Sequence, residues 1–195
     1  VTYFGFDGAA NRTSVQDPRG NWSYFYFDKL NRAYATEDAR QARTYYTFDS
    51  SGNQTSTKDL LGRVSYMDYD CNERLFVVRD ASGGLRYFTY DPSSNRDSLK
   101  DERGNVTYFY FDKLNRKFAE RNALGATTYF VFDAVDNRIS RKDPLGRLSY
   151  FYFDSVHRLT ASEDGLGRRT YYTYDVVGNQ LSVRNARRAT VSPVE

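Results

Sequence analysis

With 195 residues, 17% of them aromatic, and a net charge of only +3, the chain is too rich in rings to be a disordered segment despite its low mean hydropathy. Acidic and basic residues are interleaved, no apolar run is long enough to span a membrane, and no signal peptide is visible. Cys71 is the only cysteine, which excludes an internal disulfide and reads as a surface thiol in a turn.

Taken from the start, the chain repeats every 21 residues. An Asp closes each short aromatic run, at Asp7, Asp28, Asp49, Asp70, Asp91, Asp112, Asp133, Asp154 and Asp175, with no insertion or deletion. Four residues before each stands a Tyr: Tyr3, Tyr24, Tyr45, Tyr66, Tyr87, Tyr108, Tyr129, Tyr150 and Tyr171. The segment Tyr24–Arg32 returns unchanged at Tyr108–Arg116. Nine in-phase copies define a repeat architecture, one continuous array over residues 1–195. Val1 already lies inside a repeat, so the array reads as a piece of a longer or processed chain.

Each unit reads as strand, turn, strand, turn. The aromatic run, as in Thr44-Tyr45-Tyr46-Thr47-Phe48, is built of strand formers. Asp49-Ser50-Ser51-Gly52 is a turn, because Asp bonds backbone groups ahead of it and Gly accepts positive φ. Asn53–Lys58 is a second strand, and Asp59-Leu60-Leu61-Gly62 a second turn. Seven repeats carry Gly at this last position; Gln41 and Arg188 are the exceptions. No connection is long enough for a parallel crossover, so the expected fold is all-β: about 18 antiparallel strands in a hairpin meander, curled into a spiral, tube or shell.

Of the 33 aromatic residues, 29 fall in the four positions before a repeat Asp. Side-chain alternation puts the Tyr column on one face of the sheet and residues such as Phe25, Phe27, Phe109 and Phe111 on the other. With both faces partly apolar, the sheet is expected to curl, stack or enclose something. If the residue before Asp pairs with the fourth after it, each column Tyr opposes the seventh: Ser14, Ala35, Ser56, Val77, Ser98, Ala119, Ser140, Ala161 or Ser182. The Ser/Ala alternation there, and Asn against Arg at the fourth position, imply a 42-residue unit of two unlike hairpins.

No catalytic constellation stands out, and no enzyme activity, cofactor or metal is expected. His157 is the only His, in a turn position held by Asn, Gly or Glu elsewhere. The Asp columns match neither an EF-hand nor the Gly-rich nonapeptide; they read as turn caps. The basic column nine after Asp (Lys58, Arg79, Lys100, Arg121, Lys142, Arg184) is interrupted by Glu37 and Glu163, which argues against nucleic acid. Exposed Tyr and Trp22 leave glycans as an alternative partner, since choline- and glucan-binding repeats share this period, although those are rich in Trp.

Gly62-Arg63 with Tyr66-Met67-Asp68-Tyr69-Asp70, and Gly167-Arg168 with Tyr171-Tyr172-Thr173-Tyr174-Asp175-Val176-Val177-Gly178-Asn179, resemble the YD repeats, also called Rhs repeats. The resemblance covers the chain to about Ala189. It implies antiparallel sheet spiralling into hollow shells or tubes, as in polymorphic toxins, the C component of ABC toxin complexes, wall-associated proteins and teneurins. The expected role is a structural, non-catalytic scaffold of a secreted or cell-surface protein. The alternatives are a carbohydrate-binding surface module or a fragment of a toxin-encapsulating shell. Thr190–Glu195 loses the next Tyr, and the aromatic strand at the start is of the kind the finish lacks. Head-to-tail partnership with another copy, or with further repeats of the same chain, is therefore expected.

Overall fold

The computed structural model describes residues 1–185. These form eighteen strands and no helix, in one antiparallel open sheet. The expectations for Arg188 and Thr190–Glu195 lie outside the described residues. Two compact units can be distinguished: Val1–Thr89 with Lys100–Gly104, and Tyr90–Leu99 with the chain from Asn105 on.

In the first unit β1 (Tyr3–Phe6) pairs with β2 (Arg12–Gln16), β2 with β3 (Trp22–Phe27), β3 with β4 (Ala33–Glu37) and β4 with β5 (Arg43–Phe48). The same antiparallel order continues through β6 (Gln54–Lys58), β7 (Val64–Tyr69), β8 (Leu75–Arg79) and β9 (Leu85–Tyr90). After β10 (Arg96–Lys100), the second unit runs likewise from β11 (Val106–Phe111), β12 (Lys117–Arg121), β13 (Thr127–Phe132) and β14 (Arg138–Lys142) to β15 (Leu148–Phe153), β16 (Leu159–Glu163), β17 (Arg169–Tyr174) and β18 (Gln180–Asn185).

Both turns of the repeat are closed in the same way by an Asp, replaced by Asn122 in one second turn. The Asp49 amide donates to the Asn53 carbonyl at 2.9 Å, and the Gly52 amide donates to the Asp49 carbonyl at 3.2 Å. The Asn53 amide is then free to donate to the Asp49 carboxylate, at 2.8 Å. The side chain stands in for the backbone carbonyl that the turn has already used. The residue closing each turn has left-handed φ. In the second turns it is mostly Gly, as at Gly62 (77°) and Gly125 (81°), but in the first turns mostly not, as at Asn31 (59°), Glu73 (59°) and His157 (64°).

The register differs from the expected one, for two reasons. The Asp itself, not the residue before it, forms the closing pair with the fourth residue. A β-bulge then follows in each first-turn hairpin of the two units. In β3/β4, Phe27 faces Ala33 but Tyr26 faces Ala35, and Tyr34 is the extra residue. Tyr24 therefore opposes Glu37 in its own hairpin. Its small partner is Ser14, in the strand before it. Likewise Ala35 opposes Tyr45, Ala119 opposes Tyr129 and Ala161 opposes Tyr171.

Where it is Ala, the small residue thus lies between two rings, one on each neighbouring strand. Ala35 has Tyr26 on one side and Tyr45 on the other, and Ala119 has Tyr110 and Tyr129; both alanines are 2% exposed. The Ser/Ala alternation follows. Ala occurs where the residue two before Asp is Tyr, and Ser where it is Gly, Thr or Val, as with Gly5 beside Ser14, Thr47 beside Ser56 and Val131 beside Ser140. The Thr47 and Ser56 hydroxyls are hydrogen-bonded at 2.7 Å, as are those of Thr173 and Ser182 at 2.8 Å. The core is correspondingly thin: the buried residues are mostly these small ones, with Phe88 and Phe130, and no large side chain is fully buried among the described residues.

Candidate functional site: the tyrosine face

The pairing register sorts the side chains into two faces. The Tyr column shares a face with the small residues and with the sixth and ninth residues after Asp, because the bulge turns two successive side chains to the same side. Rings confirm the sorting: Tyr26 and Tyr34 have centroids 6.4 Å apart, Tyr110 and Phe118 6.3 Å. The other face holds phenylalanines of the aromatic strands, such as Phe109, Phe130 and Phe151, bridged by cations. The Arg138 guanidinium lies 5.3 Å from the Phe130 ring centre and 5.4 Å from that of Phe151, and Lys117 spans Phe109 and Phe130 at 5.3 and 5.5 Å. Such contacts contribute about 0.5–1 kcal/mol each at exposed sites.

The tyrosine face is the more open. Tyr24, Tyr87, Tyr108 and Tyr150 are 39% exposed, and Tyr3 57%. Tyr45, Tyr66, Tyr129 and Tyr171 are exposed as well. Rings two strands apart stand about 9–10 Å from each other in a regular sheet. Trp22 extends this face, stacked on Tyr24 at 6.1 Å and 15°. Arg121 lies 4.8 Å over the Tyr108 ring and Lys100 5.8 Å over that of Tyr87. The arrangement is a half-open platform of flat apolar surfaces edged by cations.

The Asp column is separate from the Tyr column. Asp7, Asp28, Asp49, Asp70, Asp112, Asp133, Asp154 and Asp175 each cap their own first turn, and the Asp91 carboxylate receives the amide and side chain of Asn95. Donors hold the carboxyls of Asp7, Asp28, Asp49, Asp70, Asp112, Asp133, Asp154 and Asp175 below the usual carboxylate range. At Asp49, Asp133 and Asp175 the largest cause is the Asn side-chain amide four residues on. At Asp28, Asp112 and Asp154 it is the backbone N–H of the following Arg.

The Asn or Arg at this fourth position also reaches the next repeat's first turn. The guanidiniums of Arg32, Arg116 and Arg158 donate to the carbonyls of Asp49, Asp133 and Asp175 at 2.9–3.0 Å. Asn11 donates to Asn31 at 2.9 Å and Asn95 to Asn115 at 2.8 Å, while Asn137 meets His157 Nδ1 at 3.2 Å. His157 is thus a rung between turns. Among the described residues no group of three or more His, Cys, Asp or Glu side chains is placed to hold a metal ion. Cys71 is exposed.

One cluster was not anticipated. The Tyr26 hydroxyl donates to Glu37 Oε2 at 2.8 Å, Arg43 Nε donates to the same oxygen at 2.6 Å, and Arg43 Nη2 donates back to Tyr26 at 3.2 Å. Tyr152, Glu163 and Arg169 repeat the arrangement at 3.4, 2.7 and 3.4 Å. Arg43 holds the Glu37 carboxyl below its ordinary value, with Tyr26 contributing, and Glu37 in turn raises the Tyr26 phenol. The signal was present in the sequence. Glu37 and Glu163 interrupt the basic column where the strand after the second turn opens with Arg, and the register sets Glu37 opposite Arg43 and Glu163 opposite Arg169.

No protein-family model matches the sequence, and no curated protein matches it. Among solved structures the fold is similar to the crystal structure of TcdB2-TccC3-TEV, with a TM-score of 0.64 at 12% identity over 94% of this chain. It is similar to TcdB2-TccC3 without its hypervariable C-terminal region, with a TM-score of 0.63, and to the Photorhabdus luminescens Tc holotoxin pore, with a TM-score of 0.61; both are 12% identical over 94% of this chain. This chain spans 12% of the length of each of those chains. At that identity the likeness is one of fold.

Proposed function

We propose that this chain is a non-catalytic stretch of wall: a YD-repeat β-ribbon that serves as structural scaffold in an extracellular or surface-exposed assembly, a tube or an enclosing shell of the toxin type. The observation that carries the reading is the fold likeness over 94% of the chain to Tc toxin components that are far longer than it is. The chemistry agrees with it. The polar side chains of the turns are spent on capping their own turn and holding the next one. An open sheet also has two edge strands. At β1, Tyr3, Phe4 and Phe6 are more than half exposed, and every residue of β18 is exposed. Edges of this kind accept a further strand, from another copy or from further repeats. Light scattering and electron microscopy of Val1–Glu195 against concentration test the self-joining version. Elongated particles are expected, and they should disappear in the double variant Phe4→Lys, Phe6→Lys, which places charges on an edge. A species that stays monomeric at high concentration, or elongation that ignores these charges, overturns it.

The exposed tyrosine face favours one second reading, a carbohydrate-binding module. Flat rings edged by Arg, Lys and Glu suit stacking on sugars. A glycan-array signal lost on Tyr24→Ala and Trp22→Ala together would support it, and the absence of any glycan signal would remove it.

A further inference from the structure

Within each unit the hairpin meander sets the first turns along one rim of the sheet and the second turns along the other. The residue two after the turn Asp or Asn sits at each tip, where the fold makes no demand on it. In the second unit the tip of the turn at Asp91 is Ser93, and the tips from Leu114 to Val177 are aliphatic in consecutive repeats. Leu124, Leu145 and Leu166 mark the second-turn rim and are 92%, 78% and 67% exposed. Leu114, Val135, Val156 and Val177 mark the first-turn rim and are all more than half exposed. In the first unit the corresponding second-turn tips are Arg19, Arg40, Leu61, Ser82 and Arg103, and the first-turn tips are Ala9, Leu30, Ser51 and Asn72. Turn tips ordinarily carry Gly, Pro, Asn, Asp or Ser. A single exposed Leu needs no explanation, but a regular row of them marks an interaction surface.

We propose that the aliphatic rims of the second unit are a lateral interface between copies of this chain, the Leu124/Leu145/Leu166 rim of one copy seating against the Leu114/Val135/Val156/Val177 rim of another. The occupant follows from the spacing. Successive tips on a rim lie two strands apart, about 9–10 Å, and both rims share this period because one repeat generates both. A second copy therefore seats three side chains in register. Many of the charges beside the rows are already paired: Asp143 with Arg147, Asp164 with Arg168 and Asp154 with Arg158 within a turn, and Arg116 with Asp112 in its own turn and Asp136 in the next. The contact is heterologous, so it stacks ribbons side by side rather than closing as a dimer. It is distinct from the joining of strand edges and stands without it.

Sedimentation velocity on Val1–Glu195 over a wide concentration range tests the proposal, with circular dichroism to show that each variant is folded. The expected result is concentration-dependent association that survives the edge variant Phe4→Lys, Phe6→Lys and is lost in the triple variant Leu124→Arg, Leu145→Arg, Leu166→Arg. In a Cys71→Ser background, mixing a Leu145→Cys copy with a Val156→Cys copy under oxidation should give the mixed disulfide dimer over either self-dimer. A wild-type chain that remains monomeric, association that persists in the triple variant, or self-dimers in place of mixed ones would overturn it. Leucine-dependent binding to neutral phosphatidylcholine vesicles by a chain that does not self-associate would also overturn it, in favour of a lipid surface.

Discussion

The two hairpins of each repeat share a capping Asp and differ in nearly everything else. The second-turn hairpin is regular: Gln16 faces Trp22, Val15 faces Ser23 and Ser14 faces Tyr24, and its closing residue is mostly Gly. The first-turn hairpin has a bulge after its first pair, and its closing residue is mostly not Gly, although it has the same left-handed φ. The bulge brings the sixth and seventh residues to one face, so a ring such as Tyr34 can lean on Tyr26 while Ala35 remains beneath. The difference shows that one capping device supports two registers; the bulge is present whether the residue facing the small one is a ring, as at Tyr26, or is not, as at Gly5, Thr47 and Asp68. Some of the non-Gly residues at left-handed φ in the first turns meet the turn before: Asn31, Asn115 and Asp136 accept hydrogen bonds from Asn11, Asn95 and Arg116, and His157 meets Asn137.

The sharpest break in that comparison comes at the small residue between the rings. Ala119→Leu should destabilise by about 1–3 kcal/mol through overpacking against Tyr110 and Tyr129, measured by urea unfolding. Val77, whose neighbour in its own hairpin is Asp68, shows that the column accepts a larger side chain where one ring is missing, so Val77→Leu should cost less. Equal costs would mean that the rings do not set the size of this site.

Next in size is the glycine of the second turn. At Gly125, with φ of 81°, an added Cβ would meet nothing within 4 Å. Gly125→Ala should therefore cost only the conformational penalty, about 1–2 kcal/mol. Smaller and of opposite sign, Gln41→Gly, at a φ of 62°, should stabilise by about 0.5–1 kcal/mol. His157→Gly should gain less, since it also removes the rung to Asn137. A His157 variant that gained more than the Gln41 one would show that the turn-to-turn ladder contributes nothing.

Tyr108→Ala should fall short of the about 3–5 kcal/mol typical of a buried aromatic, since the ring is 39% exposed. It faces Arg121 rather than Ala119, so the loss includes the cation over its face. The smallest effect is on pH dependence. The first-turn carboxyls have folded values lowered from the ordinary 3.8. Their contribution is fully present above that ordinary value and is lost as pH falls through the lowered ones. Thermal unfolding at a series of pH values should show a plateau above about pH 5 and a decline below it. Asp49→Asn should flatten that decline, and an unchanged slope would remove this turn cap from the account.

Much of this protein was legible in its sequence because the period is unbroken. The spacing of Tyr3 to Tyr171 and Asp7 to Asp175 determined strand number, antiparallel order and the capping role of Asp, all of which depend on residues within one turn of each other. The 42-residue alternation was legible as well, but not its cause. What the tertiary structure decided was the register. A bulge is a choice between two pairings that differ by one residue, and what the chosen one brings together, such as Tyr26 and Tyr45 about Ala35, lies on three strands that no single hairpin contains. The two-residue shift in the first-turn hairpins set column tyrosines opposite the ninth residue after Asp, as Tyr24 opposes Glu37, while the regular second-turn pairing gives Tyr24 its small partner Ser14 in the strand before and sets Glu37 opposite Arg43 and Glu163 opposite Arg169.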